Sequence, residues 1–323
     1  MDNNEYKDII HNIRGKLGFY KKKDDIKFTN CVLLFAFNGT GKTRLSYEFA
    51  HHDRVNDQHH TLYYNAFTED LFTWHNDLEN DTERYMVINT DSELIQGLDG
   101  YDYGEGINAY LCTLAGFKAH FESNYHDENG NIVVTGDNIP REVWFSRDID
   151  DKNTADYIKI SRGEERLFVW SVFRFIMELV ITGDDKFKNI KYIYIDDPMS
   201  SLDDNNVILF ASQLFELINK CHEDVYNYFV NYNKQDTLGL PFFIISTHHT
   251  VFYNTMRNGL KGCFGLNLYR NVSNNGDIKS SPLPEHTPSF YHLSMLAQIK
   301  KELDAHDNGE PCRLQRYHFN VMR

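Results

Sequence analysis

The 323-residue sequence has little of what would mark a membrane, secreted or nucleic-acid-coating protein. No stretch reaches the run of about 18 apolar residues that a membrane span requires. The nearest, residues 167–181, is interrupted by Ser171, Arg174 and Glu178. The opening Met-Asp-Asn-Asn-Glu carries no apolar signal region. Cysteines number five, at 31, 112, 221, 263 and 312, and no pair has metal-ligand spacing. Reduced thiols and a cytoplasmic location are therefore expected. Basic residues are outnumbered 33 to 47, leaving a net charge of −14. A protein that coats RNA or DNA with its whole surface would be basic, so any such contact needs a local patch. The run Lys21-Lys22-Lys23 is the obvious basic cluster and reads as a solvated loop. Internal repeats and heptad arrays are missing too, which excludes a long coiled coil.

What is present is globular: 41% hydrophobic and 25% charged residues, enough chain for one large or two smaller domains. Tyr and Phe are frequent, but rings serve cores and stacking surfaces alike. Three short apolar runs read as buried parallel strands: Cys31–Phe37, Tyr192–Ile195 and Phe242–Ile245. Each ends in polar residues, where ligands bind in open α/β sheets. Further strands are expected at Thr61–Tyr64, Met86–Asn89, Asn131–Thr135, Glu142–Phe145 and Asp156–Ile160, the last three alternating like antiparallel ones. Glu164–Ile181 predicts a buried helix and Asp204–Lys220 an amphipathic one. Asn271–Pro288 reads as a loop or linker, followed by helices near Ser289–Leu303 and Cys312–Arg323.

Ala36-Phe37-Asn38-Gly39-Thr40-Gly41-Lys42-Thr43 matches the phosphate loop G-x-x-x-x-G-K-[ST] except at its first position. Glycines let successive N–H groups curl around a phosphate. Lys42 should reach the β- and γ-phosphates, Thr43 should hold Mg²⁺, and the following helix adds its positive end. Tyr192–Pro198 (YIYIDDP) has the form of a Walker B strand. Asp196 would hold Mg²⁺ through water, and Asp197 sits where a general base could orient the attacking water. Ser200-Ser201-Leu202-Asp203 matches the D-loop of ABC ATPases and could equally cap the next helix. Ser161-Arg162-Gly163 resembles the ABC signature, whose Ser and Gly bind the γ-phosphate held by the other subunit. Ser161 as a plain N-cap is the simpler reading. In Ser246-Thr247-His248-His249, His248 is the better match to the switch histidine. No glutamine is convincingly placed as a Q-loop, and Gln96 is a weak candidate.

The order phosphate loop, signature, Walker B, D-loop, switch histidine predicts an α/β fold. It is that of an ABC-type P-loop ATPase head with an antiparallel β subdomain and a C-terminal helical segment. Only 118 positions separate Thr43 from Ser161, which excludes the long insert of chromosome and break-repair ATPases. The chain closely resembles the PrrC-type anticodon nucleases. The matching segments are Leu34–Ser46, Tyr63–Asp77, Ser161–Phe173, Tyr194–Asn205, Ser246–Asn254, Phe290–Leu293 and Arg316–Arg323. The block Tyr63–Asp77 (YYNAFTEDLFTWHND) is the most specific, because generic ABC chemistry does not demand it.

The resemblance implies an ATPase domain over 1–275 and, over 276–323, a linker and the start of a tRNA-cleaving domain. It implies Mg²⁺ with ATP or GTP, and dTTP as a further candidate. It also implies a homodimer or higher homo-oligomer with nucleotide at the interface. A restriction–modification enzyme would be the silencing partner, tRNA the substrate and antiphage defence the role. Trans contacts would come from Ser161, Arg162, Gly163 and Asp203. Arg323 matches the first residue of the family's nuclease site, whose Glu and His have no counterpart here, so this stretch by itself is not expected to cut tRNA. A stand-alone ABC switch acting on a separate effector is the second reading.

Overall fold

The computed structural model describes residues 4–23, 25–51, 60–65, 71–76, 84–127, 130–150, 152–198, 204–271, 277–283, 300 and 303. In chain order these begin with helix α1 (Asn4–Arg14), strands β1 (Gly18–Lys22), β2 (Asp25–Thr29) and β3 (Cys31–Phe35), helix α2 (Lys42–His51) and strand β4 (Thr61–Asn65). Then come β5 (Phe72–Asn76), β6 (Arg84–Ile88), α3 (Glu93–Gln96), α4 (Tyr103–Ala115), β7 (Lys118–Glu122), β8 (Tyr125–His126) and β9 (Ile132–Val133). After them lie β10 (Glu142–Asp148), β11 (Thr154–Ala155), α5 (Arg162–Ile181), β12 (Tyr192–Asp196) and α6 (Asp204–Tyr232). The last are β13 (Phe242–Thr247), α7 (Thr250–Gly259), β14 (Cys263–Asn271) and β15 (Asp277–Pro282). The chain divides into two compact units, Met1–Asn65 with Asn189–Arg323, and Ala66–Lys188.

The first unit is built on a six-stranded sheet in the order β15-β14-β3-β13-β12-β4. All neighbours run parallel except the β14–β15 hairpin. The three apolar runs become its central strands because parallel strands are covered on both faces and tolerate no polar alternation. Every residue of β3 is buried. On one face Val32 and Leu34 join Tyr194, Ile244 and Leu266 under Ile9, Ile10 and Ile13 of α1 and Leu45 and Phe49 of α2. The Arg14 guanidinium lies over the rings of Phe49 and Tyr192, so its charge closes the edge of that core. Lys21 and Lys22 are exposed as expected but lie in β1, paired with β2, rather than in a loop.

The second unit is an antiparallel sheet in which β6 lies between β5 and β10, and β10 also pairs with β7 and β11. One face packs the buried Phe72 and Phe145 and the partly buried Phe121 around Phe168 of α5. Helices α4 and α5 meet where Gly106 has no side chain; a Cβ there would overlap the Phe175 ring. From Gly163 to Val180 no residue of α5 is exposed, in keeping with its nearly continuous apolar sequence.

Two sequence expectations change. Residues 156–160 do not form a strand; pairing stops at Ala155, and Tyr157 has a left-handed φ of 52° that breaks the pleat. Residues 277–282, expected in a linker, form β15 at the sheet edge, with Ile278 buried in the core. The boundary expected at 275/276 thus falls inside a hairpin. An edge strand needs only one apolar face, so Asp-Ile-Lys-Ser-Ser carries too few hydrophobic residues to signal it. The helices expected at Ser289–Leu303 and Cys312–Arg323 lie outside the described residues, apart from 300 and 303.

Candidate nucleotide-binding site

The site lies at the carboxyl ends of β3, β12 and β13. In-register pairing of Thr247 with Phe35 and of Ser246 with Asp196 brings three polar strand ends level. The loop after β3 keeps Gly39 and Gly41 at φ of 79° and 103°, a region closed to most side chains. A Cβ on Gly41 would also lie 2.7 Å from Ile278 Cδ1, so close packing and dihedral both demand glycine there. Ala36, at the family motif's first glycine position, has no positive φ. Its N–H donates to the Thr247 carbonyl at 3.0 Å, extending the β3–β13 ladder, so a small residue serves. Thr40 Oγ1 donates to the Phe37 carbonyl at 2.7 Å and braces the loop from within.

Lys42 opens α2. Its ammonium donates to the Ala36 carbonyl and to Asn38 Oδ1, both at 3.2 Å, and lies 3.7 Å from Asp197 Oδ2. Burial pulls its pKa below the usual lysine value against the opposing charges of Asp197 and Asp196. Thr43, one residue on, is exposed. Asp196 is 1% exposed. Ser246 Oγ donates to its Oδ1 at 2.5 Å, and Ser46 Oγ lies 3.1 Å from Oδ2 and 2.9 Å from the Tyr63 hydroxyl. Burial, reinforced by the neighbouring Asp197 charge, raises the Asp196 pKa above the ordinary aspartate value, although the Ser246 hydrogen bond works the other way.

Asp197 differs in kind. Its φ of 49° is left-handed, a region that most non-glycine residues avoid and that aspartate enters because its short polar side chain can hydrogen-bond locally. The Asp197 N–H donates to the Ser246 carbonyl at 2.7 Å, which holds the turn. The carboxylate then faces His248: Oδ2 is 2.5 Å from Nδ1, and Oδ1 accepts from the His248 N–H at 3.4 Å and from Thr247 Oγ1 at 3.3 Å. Burial alone would raise its pKa, but the His248 hydrogen bond and the Lys42 charge outweigh burial and hold it below the usual value. His249 is committed elsewhere, as the N-cap of α7 accepting from the Phe252 N–H.

Asp197 is thus within reach of both Lys42 and His248, with Asp196 beside it in the chain. Two structural partners gave no sequence signal. Arg270, at the end of β14, donates from Nε to the Gly39 carbonyl at 3.0 Å, a contact created only by the β14–β3 pairing. Ser46, one turn beyond Thr43, holds Asp196.

A relative from Escherichia coli described as an anticodon nuclease is 32% identical over 324 residues, covering 90% of this chain and 72% of that one. The chain belongs to the anticodon nuclease family. No family model matches it. Solved structures similar to it include an Smc head domain with a coiled coil and joint from Pyrococcus yayanosii. That match is 14% identical, with a TM-score of 0.35, over 61% of this chain and 29% of that one. Another is an Smc head domain from Pyrococcus furiosus bound to the C-terminal domain of ScpA. It is 15% identical, with a TM-score of 0.32, over 62% of this chain and 37% of that one.

In this anticodon nuclease family member the segment Ser161–Gly163 belongs to the second unit. Ser161 caps α5: its Oγ accepts from the Glu164 N–H at 3.3 Å, and its own N–H donates to Glu164 Oε2 at 2.7 Å. Arg147 pairs with the same Glu164. The plain N-cap reading of Ser161 therefore holds, and Ser161 and Arg162 are also exposed at a helix N-terminus, with Gly163 half-buried. From the block Tyr63–Asp77, Trp74 Nε1 donates to Glu165 Oε2 at 3.1 Å, tying β5 to that first turn. Gln96 donates to the Thr90 carbonyl in a local turn. Asp203 and Arg323 lie outside the described residues. Among the described residues no helix is long and apolar enough to cross a membrane, and no group of three or more His, Cys, Asp or Glu could hold a metal alone.

Proposed function

We propose that this chain is the nucleotide-hydrolysing switch of an anticodon nuclease. The observation that carries the reading is the convergence of Lys42, Asp196, Asp197 and His248 at the ends of three parallel strands beside a glycine-dependent loop. A nucleotide with Mg²⁺ fits these residues. The loop N–H groups with Asn38, Gly39, Thr40 and Gly41 would cradle the phosphates, and Lys42 would leave Ala36 and Asn38 to meet the β- and γ-phosphates. Thr43 and Asp196 would hold Mg²⁺. The buried Asp196 carboxylate, already fixed by Ser46 and Ser246, keeps acceptor capacity for a metal-bound water. The ion would neutralise phosphate charge as it develops.

Asp197, ionised and oriented by His248, takes the role of the base that aligns the attacking water. Arg270 braces the loop from behind. A second copy would complete each site in trans through Ser161, Arg162, Gly163 and Asp203, so that hydrolysis opens and closes a homodimer. ATP and GTP are the expected substrates, with dTTP a third.

Cleavage of a tRNA anticodon loop, with Arg323 as a site residue, silencing by a restriction–modification enzyme, a cytoplasmic setting and a part in antiphage defence complete the reading. They rest on membership of the family. Side-by-side turnover of ATP, GTP and dTTP with and without Mg²⁺ tests its core. Metal-dependent release of phosphate from at least one of the three is expected; none from any would overturn it.

A further inference from the structure

Two of the cysteines, 232 positions apart in the sequence, stand directly opposite one another in the sheet. Cys263 of β14 pairs in register with Cys31 of β3. Opposed residues on neighbouring strands lie about 4.8 Å apart, inside the range of about 4.4–6.8 Å that Cα atoms of a disulfide span. The two thiols differ in their surroundings. Cys31 is fully buried. Cys263 is partly exposed and lines two cavities, of about 370 and 420 Å³, which share Tyr20, Thr29, Arg257 and Cys263 in their walls. Arg257 of α7 reaches the same residue, donating from Nη1 to the Cys263 carbonyl at 2.8 Å, and its charge bears on the thiol. Nothing in the nucleotide chemistry uses either sulfur, for each opens its strand, at the end of β3 and β14 remote from the phosphate loop.

We propose that Cys263 is a peroxide-reactive thiol and that Cys31 resolves it to a disulfide across β3 and β14. The Cys263 thiolate attacks one oxygen of a hydroperoxide. The O–O bond breaks, hydroxide (or alkoxide) leaves and takes up a proton, and Cys263 becomes a sulfenic acid. The Cys31 sulfur then attacks the Cys263 sulfur. The S–O bond breaks, and hydroxide departs with the Cys31 proton as water. Two thiols are oxidised and one peroxide is reduced. The division of labour follows from the environments. The neighbouring Cys31 thiol and the Arg257 charge hold the Cys263 thiol below the usual cysteine value, while burial pushes the Cys31 thiol up and keeps it protonated. The cavities supply the access that a nucleophilic thiol needs and that a core cysteine lacks.

The experiment is thiol mapping on the whole folded chain. The protein is treated with hydrogen peroxide, quenched with an alkylating agent in denaturant, and digested without reductant. The expected result is loss of two of the five thiols, a linked Cys31–Cys263 peptide, and full recovery with dithiothreitol. The exposed Cys112 provides the internal comparison. Oxidation of Cys112 while Cys263 remains alkylatable would overturn the proposal, as would Cys263 sulfinic acid with Cys31 still free. In Cys31→Ser, Cys263 should stop at a sulfenic acid that dimedone traps. In Cys263→Ser, Cys31 should stay fully alkylatable after unfolding; its oxidation there would also count against the assignment.

Discussion

Asp197 and His248, brought together by the pairing of β12 with β13, share a 2.5 Å hydrogen bond at the ends of those strands. The same carboxylate lies 3.7 Å from the Lys42 ammonium. One acid thus stands between the cation that would grip the γ-phosphate and the histidine that would sense it. Its left-handed backbone marks it as a residue held in place at some energetic cost, as functional residues often are.

Asp197→Asn keeps this geometry, since asparagine also accepts a left-handed φ and retains an oxygen for His248. Nucleotide should bind as before, and hydrolysis should slow by about 10²–10⁴-fold, the usual worth of a positioned base. Single-turnover phosphate release measures it. A wild-type rate would falsify the catalytic assignment.

Lys42→Ala removes the loop's only ammonium. Charge-assisted hydrogen bonds contribute about 1.5–3 kcal/mol, so affinity for a nucleoside triphosphate, read by calorimetry, should drop by about 10–200-fold. Full-strength binding would place the phosphates elsewhere.

Asp196 tests the trade between stability and function. Burial sets its folded pKa above the ordinary 3.8, so the folded protein holds that proton more tightly than the unfolded chain does. The carboxyl's contribution to stability therefore falls as pH rises from 3.8 through the folded value. Asp196→Asn is uncharged throughout and escapes that loss. Its urea midpoint should exceed the wild type's at pH 7, the gap narrowing as pH drops toward 3.8, while Mg²⁺-dependent turnover falls. Equal midpoints at pH 7 would show that the buried charge is already compensated.

Ser161 separates a structural role from a trans-site role. Ser161→Ala should cost about 1 kcal/mol through the lost cap, read as a lower denaturation midpoint. Ser161→Arg should in addition prevent nucleotide-dependent dimerisation. Unchanged sedimentation of that variant with nucleotide would rule out the sandwich.

The strands and the loop are legible from the residues alone. CVLLFAF, YIYI and FFII read as buried strands, because nothing polar interrupts them, and the glycines of Asn38–Thr43 have dihedrals that few other residues adopt. The sequence also ranked His248 over His249, and the structure sets His248 on Asp197 while His249 caps α7. Tertiary structure alone decided what stands behind these residues. Arg270 meets Gly39 across 231 positions, and Ser46 meets Asp196 across 150. Cys31 meets Cys263 only because β14 docks beside β3. Local patterns such as alternation, turn glycines and caps are written within a few residues and can be read there. Sheet order is set by which apolar faces bury one another, and that depends on the whole chain at once.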